Sequence, residues 1–217
     1  MIKVVFDQDS DAVCRILCLG SHCDDIEIGC GGTILRLTES RRNIECHWIV
    51  FSSDKERAPE AMTSAELFLK DAKEKNIIIK TFRDGFFPFV GDQIKEFFEQ
   101  IKLELSPDIV FTHYRNDLHQ DHRVISDLTW NTFRDHLILE YETPKYDGDL
   151  GSPNFFVHLK ESICSRKVMY ILDSFKSQGE NHWFSKETFL SLLKLRGIES
   201  NSAMKYAEGF YCRKIVF

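Results

Sequence analysis

Short apolar runs of strand length alternate along this chain with segments of helical period, and two of those runs stop directly at clusters of histidine and aspartate. Residues 13–20 form the first run, interrupted by Arg15, and Gly20 ends it just before Ser21-His22-Cys23-Asp24-Asp25. Residues 44–51 and 76–82 are the next strand candidates, and residues 108–113 follow the Ser106-Pro107 break and end in a second polar stretch that runs to His122. Residues 58–75 and 92–105 have helical spacing with charged faces. Such alternation buries a largely parallel sheet beneath helices joined by right-handed crossovers, and ligands then bind at the carboxyl ends of the strands. The expected fold is therefore α/β, a Rossmann-like, mostly parallel sheet flanked by helices.

The rest of the chain reads in the same way. Gly29-Cys30-Gly31-Gly32-Thr33 suits close backbone packing and leads into a helix at Ile34. Residues 124–136 read as a helix, 137–141 as a strand, 143–154 as a Pro/Gly/Asp-rich surface loop, 160–176 and 186–195 as two helices, and 210–217 as a closing edge strand. There is no internal repeat, and 217 residues suffice for one sizeable core without a visible boundary, so a single domain over 1–217 is expected.

Composition excludes several function classes. The net charge is −6 and the basic residues are scattered, Arg41-Arg42 being the densest pair, which is no nucleic-acid footprint. A small polar ligand fits better. Residues 1–10 lack the basic and apolar regions of a signal peptide, and apolar runs such as 48–51 are too short to cross a bilayer, so a cytoplasmic protein without a membrane anchor is expected. The seven cysteines include no CxxC pair and sit largely in apolar stretches, as buried thiols of a reducing compartment do.

The chemistry lies in the two clusters. His22-Cys23-Asp24-Asp25 packs an imidazole and two carboxylates past one strand. His119-Gln120-Asp121-His122 places two imidazoles three residues apart at a helix start, where they face the same side. A catalytic zinc takes three nitrogen or oxygen ligands and keeps one position open, and His22, Asp25 and His122 would supply that set. With eight histidines and 34 acidic residues some His/Asp neighbours arise by chance. Either cluster alone is equally well a solvated loop or a helix cap. Two clusters that both follow buried strands meet at one edge of the sheet, and together they point to a site.

At these residues the chain resembles a known family. HCDDIEIGCGGT is similar to the HPDD…GCGGT signature, and HYRNDLHQDH to the H…D.HPDH signature, of the PIG-L/LmbE-like N-acetylglucosaminyl deacetylases, in the same order and at a separation of roughly a hundred residues. Weaker echoes are Arg57, Asp84-Gly85, Lys167, Ser177-Gln178 and Tyr206-Ala207-Glu208-Gly209-Phe210. The resemblance implies an LmbE-like deacetylase fold and removal of an N-acetyl group from an N-acetylglucosamine-type sugar or its conjugate. It further implies that His22, Asp25 and His122 hold zinc, that Asp24 is the general base, and that His119 polarises the substrate carbonyl. That assignment agrees with what amide hydrolysis requires, an activated water, a stabilised oxyanion and a protonated leaving amine. Ferrous iron also suits two histidines and one carboxylate. Family members form dimers to hexamers, so a homo-oligomer is compatible with the resemblance.

Asp121 can accept a ring N–H and orient a histidine, or serve as an ordinary helix-start aspartate. Arg57 and Asp84 resemble sugar-contacting positions, and each is also readable as a surface charge. His113 either lines the pocket or packs at its strand end. Phe86-Phe87-Pro88-Phe89 could stack on a sugar or belong to the core. Cys23 and Gln120 stand where the family motifs carry proline, and the thiol raises the question of ligation. Two rival readings are a nucleotide-binding Rossmann enzyme and a non-catalytic carbohydrate- or metal-binding protein on the same fold. The first fails because Gly29-Cys30-Gly31-Gly32 is not GxGxxG and follows an acidic turn that would repel a pyrophosphate. The second leaves Asp24 without a purpose.

Overall fold

A computed structural model describes residues 12–40 and 43–216. The expectations for residues 1–10, for Arg41-Arg42 and for Phe217 lie outside the described residues. The elements are β1 (Cys14–Gly20), α1 (Asp25–Ser40), β2 (Ile44–Val50), α2 (Arg57–Phe68), β3 (Glu74–Ile79), α3 (Gly91–Glu104), β4 (Ile109–His113), α4 (Gln120–Thr132), β5 (Leu137–Tyr141), β6 (Phe155–Leu159), α5 (Glu161–Ser174), α6 (Lys186–Glu199) and β7 (Tyr206–Cys212). The sheet order is β3-β2-β1-β4-β5-β7-β6, with β1 to β5 parallel and β7 antiparallel to both β5 and β6. The chain first runs outward from β1 to β3 and then returns to β4 on the other side of β1. The crevice of an open α/β sheet therefore opens beyond Gly20 and His113.

Both faces of the sheet are covered. Residues of α1, α2, α5 and α6 pack on one side with Ile16, Cys18, Trp48 and Phe111, and residues of α3 and α4 pack on the other with Leu17, Leu19, Phe51 and Val110. This is why the central strands read as continuous apolar runs. Cys18, Cys23, Cys30, Cys46 and Cys164 are buried thiols. Among the described residues no helix is long and apolar enough to cross a membrane.

The helix expected over 58–75 ends at Phe68 and β3 starts at Glu74, β6 lies where no strand is expected, and three further elements depart from the sequence reading. The first helix starts at Asp25, so the glycine run lies inside α1 and not before it. A Cβ on Gly29 would come within 2.0 Å of the Tyr141 ring, and one on Gly31 within 2.5 Å of Phe68, so these glycines trade helix propensity for close approach. α4 likewise starts at Gln120, ahead of the expected 124, because the His119 ring caps it by accepting the Asp121 N–H at 3.3 Å. The final strand is interior, since β6 pairs outside it and forms the edge.

Candidate active site

The strand ends of β1 and β4 are tied together where the site begins. His113 closes β4, is fully buried, and accepts the Ser21 backbone N–H on Nε2 at 2.9 Å. Past Ser21 the chain turns tightly into α1, and Asp25 accepts the His22 backbone N–H at 2.6 Å. Donors from two segments, the turn after β1 and the start of α4, then converge. His22 Nδ1 lies 3.2 Å from His122 Nε2 and 3.3 Å from Asp25 Oδ2, and His122 Nε2 lies 3.5 Å from Asp25 Oδ1. Ligands at about 2.0–2.1 Å from a tetrahedral zinc lie about 3.3 Å apart, so two imidazoles and a carboxylate with one oxygen towards each ring have the chemistry and the closeness to hold a divalent metal.

The remaining ring nitrogens also meet carboxylates. His22 Nε2 lies 2.9 Å from Asp84 Oδ1, and His122 Nδ1 lies 3.0 Å from Asp117 Oδ2. Such partners fix tautomer and ring orientation at metal sites. Asp121 is fully buried and 3.5 Å from His22 Nε2, but its hydrogen bonds go to the backbone N–H groups of Gly85 and Phe87 at 2.7 and 3.1 Å. Gln120 donates to Gly85 O, so the second motif grips the segment carrying Asp84 from both sides. Here Gln120 holds the backbone by a hydrogen bond at a position where the family motif has proline.

His119 stands over the two clustered histidines, its ring centroid 4.9 Å from that of His22 and 4.7 Å from that of His122. Nδ1 is engaged by the helix cap, which leaves Nε2 available to a ligand. Asp24 is buried, and Arg57 donates to its Oδ1 at 2.9 Å. All eight sequence-predicted residues, His22, Asp24, Asp25, Arg57, Asp84, His119, Asp121 and His122, thus come together at this edge of the sheet. Cys23 is near but turned away: its thiol donates to Ser52 O at 3.4 Å, and burial pushes its pKa up to about 12. Phe87 is buried in the core and Phe89 is exposed.

The environments of the two adjacent aspartates differ in sign. Burial raises the Asp24 carboxyl, and Arg57 offsets this only in part. Burial also works against the charge of Asp25, but His122, His113 and His22 hold its carboxyl well below the usual range. Burial and then His113 lower His122 to about 4, the neutral form that a metal requires. For His22 burial is outweighed by Asp25, Asp121 and Asp84, which hold the imidazole well above its ordinary value.

Two site residues escaped the sequence reading, Asp117 and Lys145. Lys145 Nζ lies 2.8 Å from Asp117 Oδ2. Asp117 falls inside the quoted HYRNDLHQDH motif, so its place there was a usable signal. Lys145 had none, because it lies in a loop 28 residues away.

Comparison with known proteins shows the family and the fold. The model of the PIG-L family, described as GlcNAc-PI de-N-acetylase, matches residues 17–133, a span that contains both clusters. Among solved structures the chain is similar to a conserved protein from Thermus thermophilus, with 20% identity over 93% of this chain and 96% of that one and a TM-score of 0.73. It is similar to the N,N'-diacetylchitobiose deacetylase from Pyrococcus horikoshii, with 21% identity, 95% and 87% coverage and a TM-score of 0.68. It is also similar to the 4-carboxy-2-hydroxymuconate hydratase from Pseudomonas putida, with 16% identity, 94% and 98% coverage and a TM-score of 0.72. At these identities the likeness shows the fold, and the hydratase shows that the fold carries more than one chemistry.

Proposed function

This chain belongs to the PIG-L family, and from that premise we propose that it is a metal-dependent amide hydrolase that removes the N-acetyl group of an N-acetylglucosamine-type sugar, its glycoside or its nucleotide conjugate. The observation that carries the proposal is the approach of His22, Asp25 and His122 to 3.2–3.5 Å of one another, with Asp24 and His119 beside them. Zinc is the metal that best suits two imidazoles and one carboxylate, with ferrous iron the alternative. When bound, it supplies a Lewis acid that lowers the pKa of water towards about 7.

The residues of this chain do the rest. Asp24 accepts the proton of the attacking water and passes it to the departing amine, so that amide and water give acetate and a free amino sugar. The Arg57 guanidinium holds the Asp24 carboxylate in place. His119 hydrogen bonds the carbonyl oxygen as it gains negative charge. Asp84 and Asp117 fix the two imidazole rings. A soluble small-molecule substrate in the cytoplasm is part of the same proposal.

The test combines metal analysis with acetate release from N-acetylglucosamine glycosides and nucleotide sugars. One divalent ion per chain is expected, lost in His22→Ala, Asp25→Ala and His122→Ala. Asp24→Asn should keep the ion and lose on the order of a hundredfold or more in rate. A metal-loaded wild type that binds these sugars and releases no acetate would favour a pure binding protein and overturn the proposal, as would Asp24→Asn turning over at the wild-type rate.

A further inference from the structure

We infer that Lys145, on the loop between β5 and β6, is a positioning residue that holds His119 and His122 in place through Asp117. The inference rests on the reading of His122 as a metal ligand. Lys145 lies far along the chain from both clusters, yet its side chain is only 12% exposed, and Nζ sits between Asp117 Oδ2 at 2.8 Å and Asp149 Oδ2 at 2.5 Å. Asp117 and Asp149 are themselves 3% and 6% exposed, so this is an enclosed triad and not a surface pair.

Each carboxylate holds a different part of the segment that leads into α4. Asp117 Oδ2 is the atom that meets His122 Nδ1, and Oδ1 accepts the His119 backbone N–H at 2.8 Å. Asp149 Oδ2 accepts the Leu118 backbone N–H at 2.7 Å. Pro144, just before Lys145, is buried, but the apolar side chains that follow in the loop, Tyr146 and Leu150, are exposed, as is Leu118 on the other side of the triad. Arg123 Nη1 holds the carbonyls of Asp117 and Leu118, whereas the Asp117 carboxylate itself is met by the Lys145 ammonium. Gly148, at φ +64°, allows the reversal that returns Asp149 to the same ammonium.

Without that ammonium, two carboxylates that share one nitrogen would face each other as like charges. The relief open to Asp117 is to turn away, and His122 Nδ1 then loses the acceptor that keeps its Nε2 lone pair aimed at His22 and Asp25. Loss of such an acceptor weakens metal binding by about 10–100-fold.

Zinc affinity, measured by competition between metal-free protein and a chromophoric chelator, tests this without any substrate. Lys145→Met is expected to bind zinc about 10–100-fold more weakly. Lys145→Arg, which keeps the charge, and Lys145→Met/Asp149→Asn, which removes the repulsion, should each recover much of the loss. A merely structural role would lower the melting temperature of the metal-free protein in proportion and would show no such rescue. Should Lys145→Met not accumulate as folded protein, Lys145→Gln is read in the same way, with about tenfold weaker binding expected. Wild-type zinc affinity in the folded Met or Gln variant overturns the inference alone. A wild type that binds no zinc overturns the metal reading beneath it, and absence of acetate release bears only on the proposed reaction.

Discussion

Replacing Lys167 by methionine removes the cation from a buried ion pair that is built into the side of α1. Lys167 and Glu208 are each 3% exposed in their side chains, and Nζ lies 2.6 Å from Glu208 Oε1 and 2.6 Å from Ile28 O. Glu208 also accepts the N–H groups of Gly32 and Thr33 at 2.8 and 2.7 Å and the Thr33 hydroxyl at 2.6 Å. In a regular α-helix the Gly32 N–H and Ile28 O are partners of each other, so the pair serves groups that otherwise belong to the helix ladder. Breaking a buried pair costs about 3–5 kcal/mol. Since Glu208 keeps three of its donors, the lower end, about 3 kcal/mol, is expected for Lys167→Met. For a chain of this size that is a fall of roughly 6–12 °C in melting temperature. Glu208→Gln is no milder, because either orientation of the amide turns its NH2 against donors. In Lys167→Met/Glu208→Leu the helix can re-form its own bonds, and most of the loss should return. Urea denaturation with chelator present keeps metal binding out of the measurement. A loss for Lys167→Met below about 1 kcal/mol, the level of an exposed pair, would refute the reasoning.

Three further outcomes are expected. Gly29→Ala gains helix propensity of about 1 kcal/mol but drives a methyl into the Tyr141 ring, whose hydroxyl is fixed on Leu19 O at 2.7 Å, so a net loss of about 2 kcal/mol is expected in urea denaturation, and stabilisation would contradict the packing argument. Cys23→Ala should retain full metal content by elemental analysis, because the thiol faces Ser52 O, and a fall in content would assign it to the ligand set. His119→Ala should keep the metal and lose about 10²–10³ in kcat with KM little changed, and an unchanged kcat would remove it from the carbonyl-polarising role.

The sequence shows the fold best where burial is complete. β1, β2, β4 and β5 are largely apolar because helices cover both faces, even with Arg15, Glu45, His47 and Glu140 among them, and their expected ranges fall within a residue or two of those observed. β6 was not visible, since Phe155–Leu159 is a half-buried edge strand placed directly after a Pro/Gly-rich loop. β3 starts at Glu74, and its exposed charged residues Glu74 and Lys75 continue the helical charge pattern of α2, so the helix was extended beyond Phe68. The start of α1 was obscured by its glycines, whose low propensity is overridden by the close approach of Tyr141 and Phe68. In each case tertiary packing decides against the local signal.

The site was legible for a different reason: its chemistry is contiguous. Two four-residue clusters carry most of the histidines and carboxylates of the site, and the β1/β4 switch point brings them together. The interactions that bridge them from a distance were not legible. Arg57 and Asp84 read as sugar contacts or as surface charges, and the structure gives them protein partners, Asp24 and His22. Asp24 and Asp25 make the same point within two letters of sequence. Asp25 opens α1 and faces three imidazoles, which hold its carboxyl well below the usual range against burial. Asp24, one residue earlier, faces Arg57 and the buried side of the turn, where burial raises it. Burial thus shifts one carboxyl up while imidazoles hold its neighbour down, and this difference between two identical side chains is a property of where the turn points them, which no spacing rule contains.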